Sequence, residues 1–181
     1  MLFRSRLLAC QSSNDLISYL RVFSNRPMPA FDQRLFGLLS HEDDNVRARA
    51  YTAIAQNTHP SIRRFALDHV EQWFTETNFL ELFIKNFQPG DEELLLRHLR
   101  LPDDPDERHC LLMDLKTVLR ENPSPACRDL ALIGYEATPC GGCRYDAVKL
   151  LVNQYVAPAW LLDECRFDSE SDTRDLVMKK T

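Results

Sequence analysis

Two cysteines three positions apart, Cys140 and Cys143 in the stretch TPCGGCRYDA, are the sharpest chemical signal in this chain. Their types and spacing suit three kinds of chemistry. A structural zinc site wants four thiolate or imidazole ligands, usually as two close pairs. Only one pair is present, so Cys165, Cys127, Cys110 and His109 are single residues that folding would have to bring to it. A redox dithiol at a helix N-terminus is physically sound, because the helix dipole and Arg144 both favour a thiolate. Such pairs ordinarily follow a strand in a β-α-β unit, however, and none is legible. In the third reading Gly141 and Gly142 supply a turn and Cys143 is a small buried hydrophobe. The weak metal candidates are therefore Cys140, Cys143 and Cys165, and zinc is the cofactor they would take.

Other candidates are weaker. His41, Glu42, Asp43 and Asp44 form an acidic loop, but acidic residues before a helix are ordinarily partners of its dipole. His109 sits in the apolar-patterned stretch RHCLLMDLKTVL, where a solvated or satisfied histidine is the expectation. Trp73, Phe74, Phe83 and Phe87 have helix-face spacing and read as core; exposed together, they would mark a partner groove. No GxSxG, P-loop, GxGxxG, HExxH or EF-hand pattern occurs, which lowers the expectation of an enzyme.

The elements that must position these residues read as helix after helix. Hairpin turns of the Asn-Gly or Asp-Gly kind are missing and β-branched clusters are short. Ser13 is placed to cap NDLISYLRVF, AFDQRLFGLL begins near Ala30, and NVRARAYTAIAQ follows the acidic turn. Pro60 opens SIRRFALDHVEQWF, while Asp91, Glu92 and Glu93 start a helix closed by Arg97, His98 and Arg100, the order a helix dipole favours. Asp104–Pro105 and Ser124–Pro125 are cap and first-turn pairs for the helices that follow.

Five of these helices share one signature: an apolar or small residue, then Arg, then a small apolar residue three positions on. They are Val46-Arg47 with Ala50, Ile62-Arg63 with Ala66, Cys127-Arg128 with Ala131, Cys143-Arg144 with Ala147, and Thr173-Arg174 with Val177. Ile54, Val70, Tyr135 and Leu151 follow seven residues after four of the Arg. These positions share a helix face, so each helix has a narrow buried stripe whose small central residue lets a neighbour approach. The Arg falls at the stripe's edge, its stem packed and its head free to reach polar groups. Arg144 and Arg174 are 30 residues apart, about one helix-turn-helix unit. In this register Cys143 takes the slot of Val46, Ile62 and Cys127, and Cys140 falls in the turn with Asp43, His59 and Ser124.

LLSHEDDNVRARAYTAIAQ and LLDECRFDSESDTRDLVMK resemble HEAT repeats, including the shorter phycobilisome-lyase type, whose second helix opens Asp-x-Asp-x-x-Val-Arg. Asp168, Glu170, Thr173 and Arg174 follow that pattern, whereas His41 stands where the leading Asp is expected. The resemblance covers about two thirds of the chain. It implies an all-α fold, a right-handed α-solenoid of stacked antiparallel helix pairs with about ten short helices. The expected organisation is a single domain over 1–181, most regular over 30–73 and 123–178, with irregular helices over 74–122. It also implies that Arg47, Arg63, Arg128, Arg144, Asp168 and Arg174 link one repeat to the next.

Composition narrows the function. With 22 Lys and Arg against 27 Asp and Glu, the net charge is −5 and no run of five or more basic residues occurs. Nucleic acid and anionic membranes usually demand a basic face, so both are disfavoured. No apolar run reaches the roughly 18 residues of a membrane span. Leu7, Leu8, Ala9 and Cys10 resemble a lipoprotein cleavage box, but Arg4 and Arg6 interrupt the segment. The six scattered cysteines read as reduced cytoplasmic thiols. The expected function is a non-catalytic scaffold binding another protein or a peptide. The alternatives are a nucleic-acid-binding or base-processing enzyme on the same scaffold, built around Trp73 or Trp160, and a zinc- or redox-sensing adaptor acting through Cys140 and Cys143.

Overall fold

Side-chain acceptors placed just ahead of helices set where five of the elements begin. In the computed structural model, which describes residues 10, 12–76 and 78–179, no strand occurs among those residues. The lipoprotein-like Leu7 to Ala9 lie outside them. The α-helices are α1 (Ser13–Arg21), α2 (Asp44–Ala55), α3 (Pro60–Asp68), α4 (Asp91–His98), α5 (Pro105–Glu121), α6 (Arg128–Glu136), α7 (Gly141–Asn153), α8 (Ala159–Cys165) and α9 (Ser171–Met178). Short 3-10 segments cover Gln33–Ser40, Val70–Gln72, Phe79–Phe83 and Pro125–Cys127.

Asp32, Asp43, His59, Asp104 and Ser124 each accept a backbone N–H two residues ahead, satisfying a donor that the first helical turn leaves orphaned. One step earlier in the chain, His41 Nδ1 accepts from the Asp43 N–H at 3.0 Å and Asp168 Oδ1 accepts from the Glu170 N–H at 2.8 Å. His41 thus closes its turn before α2 as Asp168 closes the one before α9. Gly90 enters α4 at φ 98°, a left-handed conformation that favours glycine.

Three local expectations change. Ser12, not Ser13, precedes α1, and it makes no side-chain cap. The AFDQRLFGLL stretch is a 3-10 segment that starts at Gln33, behind the Asp32 cap. The stretch opened by Pro60 breaks at His69, whose ring nitrogen takes the Phe65 carbonyl at 2.8 Å while its N–H bonds back to Ala66. Trp73 Nε1 also donates to the Ala66 carbonyl, so both groups hold the break in place.

By internal contact the chain divides into two compact units, Met1–Phe87 and Gln88–Thr181. In the first, α2 packs against α1, the 33–40 segment and the 79–83 segment. Val46, Ala50 and Ile54 are fully buried along one face of α2, as are Ile62 and Ala66 on α3. Val70 is only half-buried because it lies beyond the end of α3. Two buried asparagines then tie loops together at an interval of 29 residues. Asn57 Oδ1 accepts the Met28 N–H while its Nδ2 donates to Ala53. Asn86 Oδ1 accepts the His59 N–H while its Nδ2 donates to Asn57 and Leu82.

In the second unit α7 is the hub, packing against α5, α6 and α9. Cys127, Ala131 and Tyr135 line the buried face that starts at the 125–127 turn and runs into α6; Cys143, Ala147 and Leu151 line that of α7. The small residues at the middle of each stripe permit the close approach of α6 and α7 that larger side chains would prevent.

Candidate functional site

The Cys-Gly-Gly-Cys stretch forms the first turn of a helix instead of a glycine turn. Cys140 is the residue flanking α7, and Gly141 and Gly142 are its first helical residues, without positive φ. Residues three apart on a helix share a face, so the two sulfurs point the same way. They point at α5. His109, Cys140 and Cys143 place one nitrogen and two sulfur ligand atoms within 4.8 Å of one another. Cys143 Sγ lies 3.8 Å from His109 Nδ1 and 3.7 Å from Met113 Sδ. His109, Met113 and Lys116 stand at intervals of four and three on one face of α5.

The two thiols are driven apart electrostatically. The Cys143 backbone N–H, with the Cys143 side chain, the Gly142 N–H and the nearby Lys116 ammonium, lowers the Cys140 thiol below its ordinary range. Burial raises Cys143, and the Cys140 sulfur beside it adds to the effect. The Lys116 ammonium is engaged by Asp146 at 2.9 Å. The pair therefore consists of a partly exposed thiol inclined to ionise and a buried one held as the neutral acid. Cys165 is not part of this group: its Sγ donates to the Tyr135 hydroxyl at 3.8 Å. Buried Cys127 and exposed Cys110 also stand outside it.

The five arginines divide into two geometries. Arg63 donates to the Asn86 carbonyl, Arg128 to the Val156 carbonyl and Arg144 to the Asp168 carboxylate, each reaching 23 to 28 residues forward. Arg47 and Arg174 instead turn back to the carbonyls five and six residues behind, at His41 and Glu42 and at Asp168 and Ser169. Arg144 also takes the Pro139 carbonyl at 2.8 Å. Asp168 joins both geometries, holding Arg144 through its carboxylate and Arg174 through its carbonyl. The guanidinium hydrogen bond keeps the Asp168 carboxyl below the usual carboxylate range.

Beside that junction opens a cleft of about 600 Å³ lined by Tyr135, Arg144, Trp160, Glu164, Phe167 and Asp168, with Glu136 at its edge. Trp160 is 46% and Phe167 88% exposed, unusual for rings of this size. Tyr135 stands edge-on to Trp160, with centroids 6.5 Å apart, and donates its hydroxyl to Glu164 at 3.1 Å. Three carboxylates face one guanidinium here, so the cleft is acidic.

The remaining sequence candidates have structural roles. Trp73 and Phe83 are buried in edge-to-face contact, and Phe74 and Phe87 are half-buried, so these rings form no exposed groove. The Asp43 and Asp44 carboxylates are engaged at the start of α2, by the Asn45 N–H and by Arg47. Sequence reasoning named His109 only as one of several single ligands and favoured a solvated or satisfied histidine there, and it passed over the Asn57–Asn86 pair. His109 carried one signal, a helix face that repeats polar and sulfur-bearing residues at 109, 113 and 116. Comparison with known proteins finds no significant match to a family model, a curated protein or a solved structure.

Proposed function

We propose that the chain is a HEAT-like helical-repeat protein, a right-handed superhelix of stacked antiparallel helix pairs, acting as a non-catalytic scaffold that binds a protein segment. The observation that carries this reading is the acidic cleft with Trp160 and Phe167 exposed at its rim. Soluble proteins rarely display large aromatic side chains together without a partner, and tryptophan and tyrosine are enriched at binding hot spots. Glu136, Glu164 and Asp168 opposite a single Arg144 favour a segment carrying Lys or Arg next to an apolar residue, the cation lying over the Trp160 face. The repeat reading draws support from the forward-reaching arginines and the 29-residue interval between Asn57 and Asn86. All six cysteines are free, which suits a reducing compartment such as the cytoplasm.

The nucleic-acid alternative asks for an accessible tryptophan on a basic face. Trp73 is 1% exposed, and Trp160 sits among carboxylates. The experiment is photocrosslinking from position 167 with a photoreactive phenylalanine analogue, in cells and with designed basic-aromatic peptides. The expected result is a discrete protein adduct that weakens with salt and is lost in Trp160→Ala. Equal adducts from the exposed Tyr155 position, or adducts indifferent to Trp160→Ala, reject the cleft as the binding surface. A shift of duplex DNA at low salt would move the reading to nucleic acid.

A further inference from the structure

We propose that His109, Cys140 and Cys143 form a zinc site, two thiolates and one imidazole, that fastens α5 to the first turn of α7 and keeps a fourth position open. With Zn–S about 2.3 Å and Zn–N about 2.05 Å, tetrahedral ligands lie about 3.6–3.8 Å apart. The Cys143 Sγ to His109 Nδ1 separation is 3.8 Å, and all three ligand atoms lie within 4.8 Å of one another. Side-chain rotations that close the widest separation by about 1 Å would complete the geometry.

The ligand chemistry also selects the metal. Two thiolates and an imidazole are the donors zinc prefers, and hard cations such as Mg²⁺ and Ca²⁺ take oxygen instead. Binding replaces the two thiol protons, which pass to the solvent, by one divalent cation, so the loaded site is neutral. That neutrality suits a location in which Cys143 is buried. From the α5 face the Lys116 ammonium opposes zinc, and Asp146 offsets it at 2.9 Å. A dithiol switch would need the two cysteines alone. The imidazole presented from a different helix is what a metal site adds. Three protein ligands leave room for water, with the Met113 thioether adjacent, 3.7 Å from Cys143 Sγ.

The test uses the full chain, reduced and stripped of metal. Zinc is titrated against a chromophoric chelator, and cobalt(II) is added separately as a spectroscopic probe. The expected result is one zinc per chain and a cobalt spectrum with intense tetrahedral d–d bands and thiolate charge transfer. Cys140→Ser and His109→Gln, both partly exposed positions, should each weaken zinc more than about 100-fold, beyond the roughly 10–100-fold typical of a lost supporting group. Cys110→Ser, one residue away and outside the cluster, should bind zinc as the parent does. Far-UV circular dichroism of each variant separates lost ligation from lost folding. Zinc affinity unchanged in either ligand variant, six-coordinate cobalt bands, or no stoichiometric zinc would each overturn the site.

Discussion

Asp168 joins α7 to the turn that opens α9. Its carboxylate receives the Arg144 Nε at 3.0 Å and the Glu170 N–H at 2.8 Å, and its carbonyl receives Arg174. The side chain is 5% exposed and its partner Arg144 21%. A charged hydrogen bond shielded to this degree is worth more than a surface ion pair. Asp168→Asn, which keeps the shape and loses the charge, should destabilise the chain by about 1.5–3 kcal/mol at neutral pH, the range for hydrogen bonds to charged groups. The sign with pH follows from the lowered carboxyl. A group whose folded pKa is depressed stabilises fully above its unfolded pKa, about 3.9 for Asp, and loses that contribution as pH falls through the folded value. The gap between parent and variant should therefore be open at pH 7 and close progressively below about pH 4. Urea melts at both pH values check it; a gap independent of pH would mean that packing, not the ion pair, is at stake.

At the level of elements, the recurring devices are the entry turns and the loop ties. The entry turns were legible, because Asp104–Pro105, Ser124–Pro125 and Pro60 announce helix starts by their own backbone chemistry. The arginine stripe was legible too, since its period is that of a helix. The loop ties were not. Asn57 and Asn86 read locally as residues that favour turns, and only folding shows that each caps its own helix while accepting an N–H from 27 to 29 residues earlier. The same limit left His109 undistinguished from Cys110, Cys127 and Cys165, because it lies 34 residues from the cysteine it meets and its local pattern is that of an ordinary amphipathic helix. Asn86 tests the tie directly. Asn86→Leu fills similar space but strands the His59 N–H and the Asn57 and Leu82 carbonyls, all of which Asn86 now satisfies. Each buried group left unpaired costs about 1–3 kcal/mol, so a total of about 3 kcal/mol or more is expected once partial relaxation is allowed. An exposed-loop asparagine would change stability by less than about 0.5 kcal/mol. Thermal melts of the variant distinguish the two.

For the molecule as a whole, the division into two compact units sets which proposals a single segment can test. The zinc candidates on α5 and α7 and the aromatic cleft beside α6, α7 and α8 all fall within Gln88–Thr181. That unit has its own buried stripe through Leu112, Leu115, Leu130, Ala131, Val148 and Leu151 and its own arginine links at Arg128 and Arg144. The boundary also leaves the Gln88 N–H with its acceptor, Asp91, on the same side. A compact unit with its own buried core and internal hydrogen bonds can fold without the rest of its chain. The segment 88–181, expressed alone, should therefore be helical and melt cooperatively at a lower temperature than the full chain. It should also bind zinc with the same one-to-one stoichiometry and capture the same partner at the Trp160–Phe167 cleft. Circular dichroism, zinc titration and the position-167 crosslink measure these separately. A segment that folds but binds neither would place the determinants of function partly within Met1–Phe87, and one that never folds would show that the second core depends on the first.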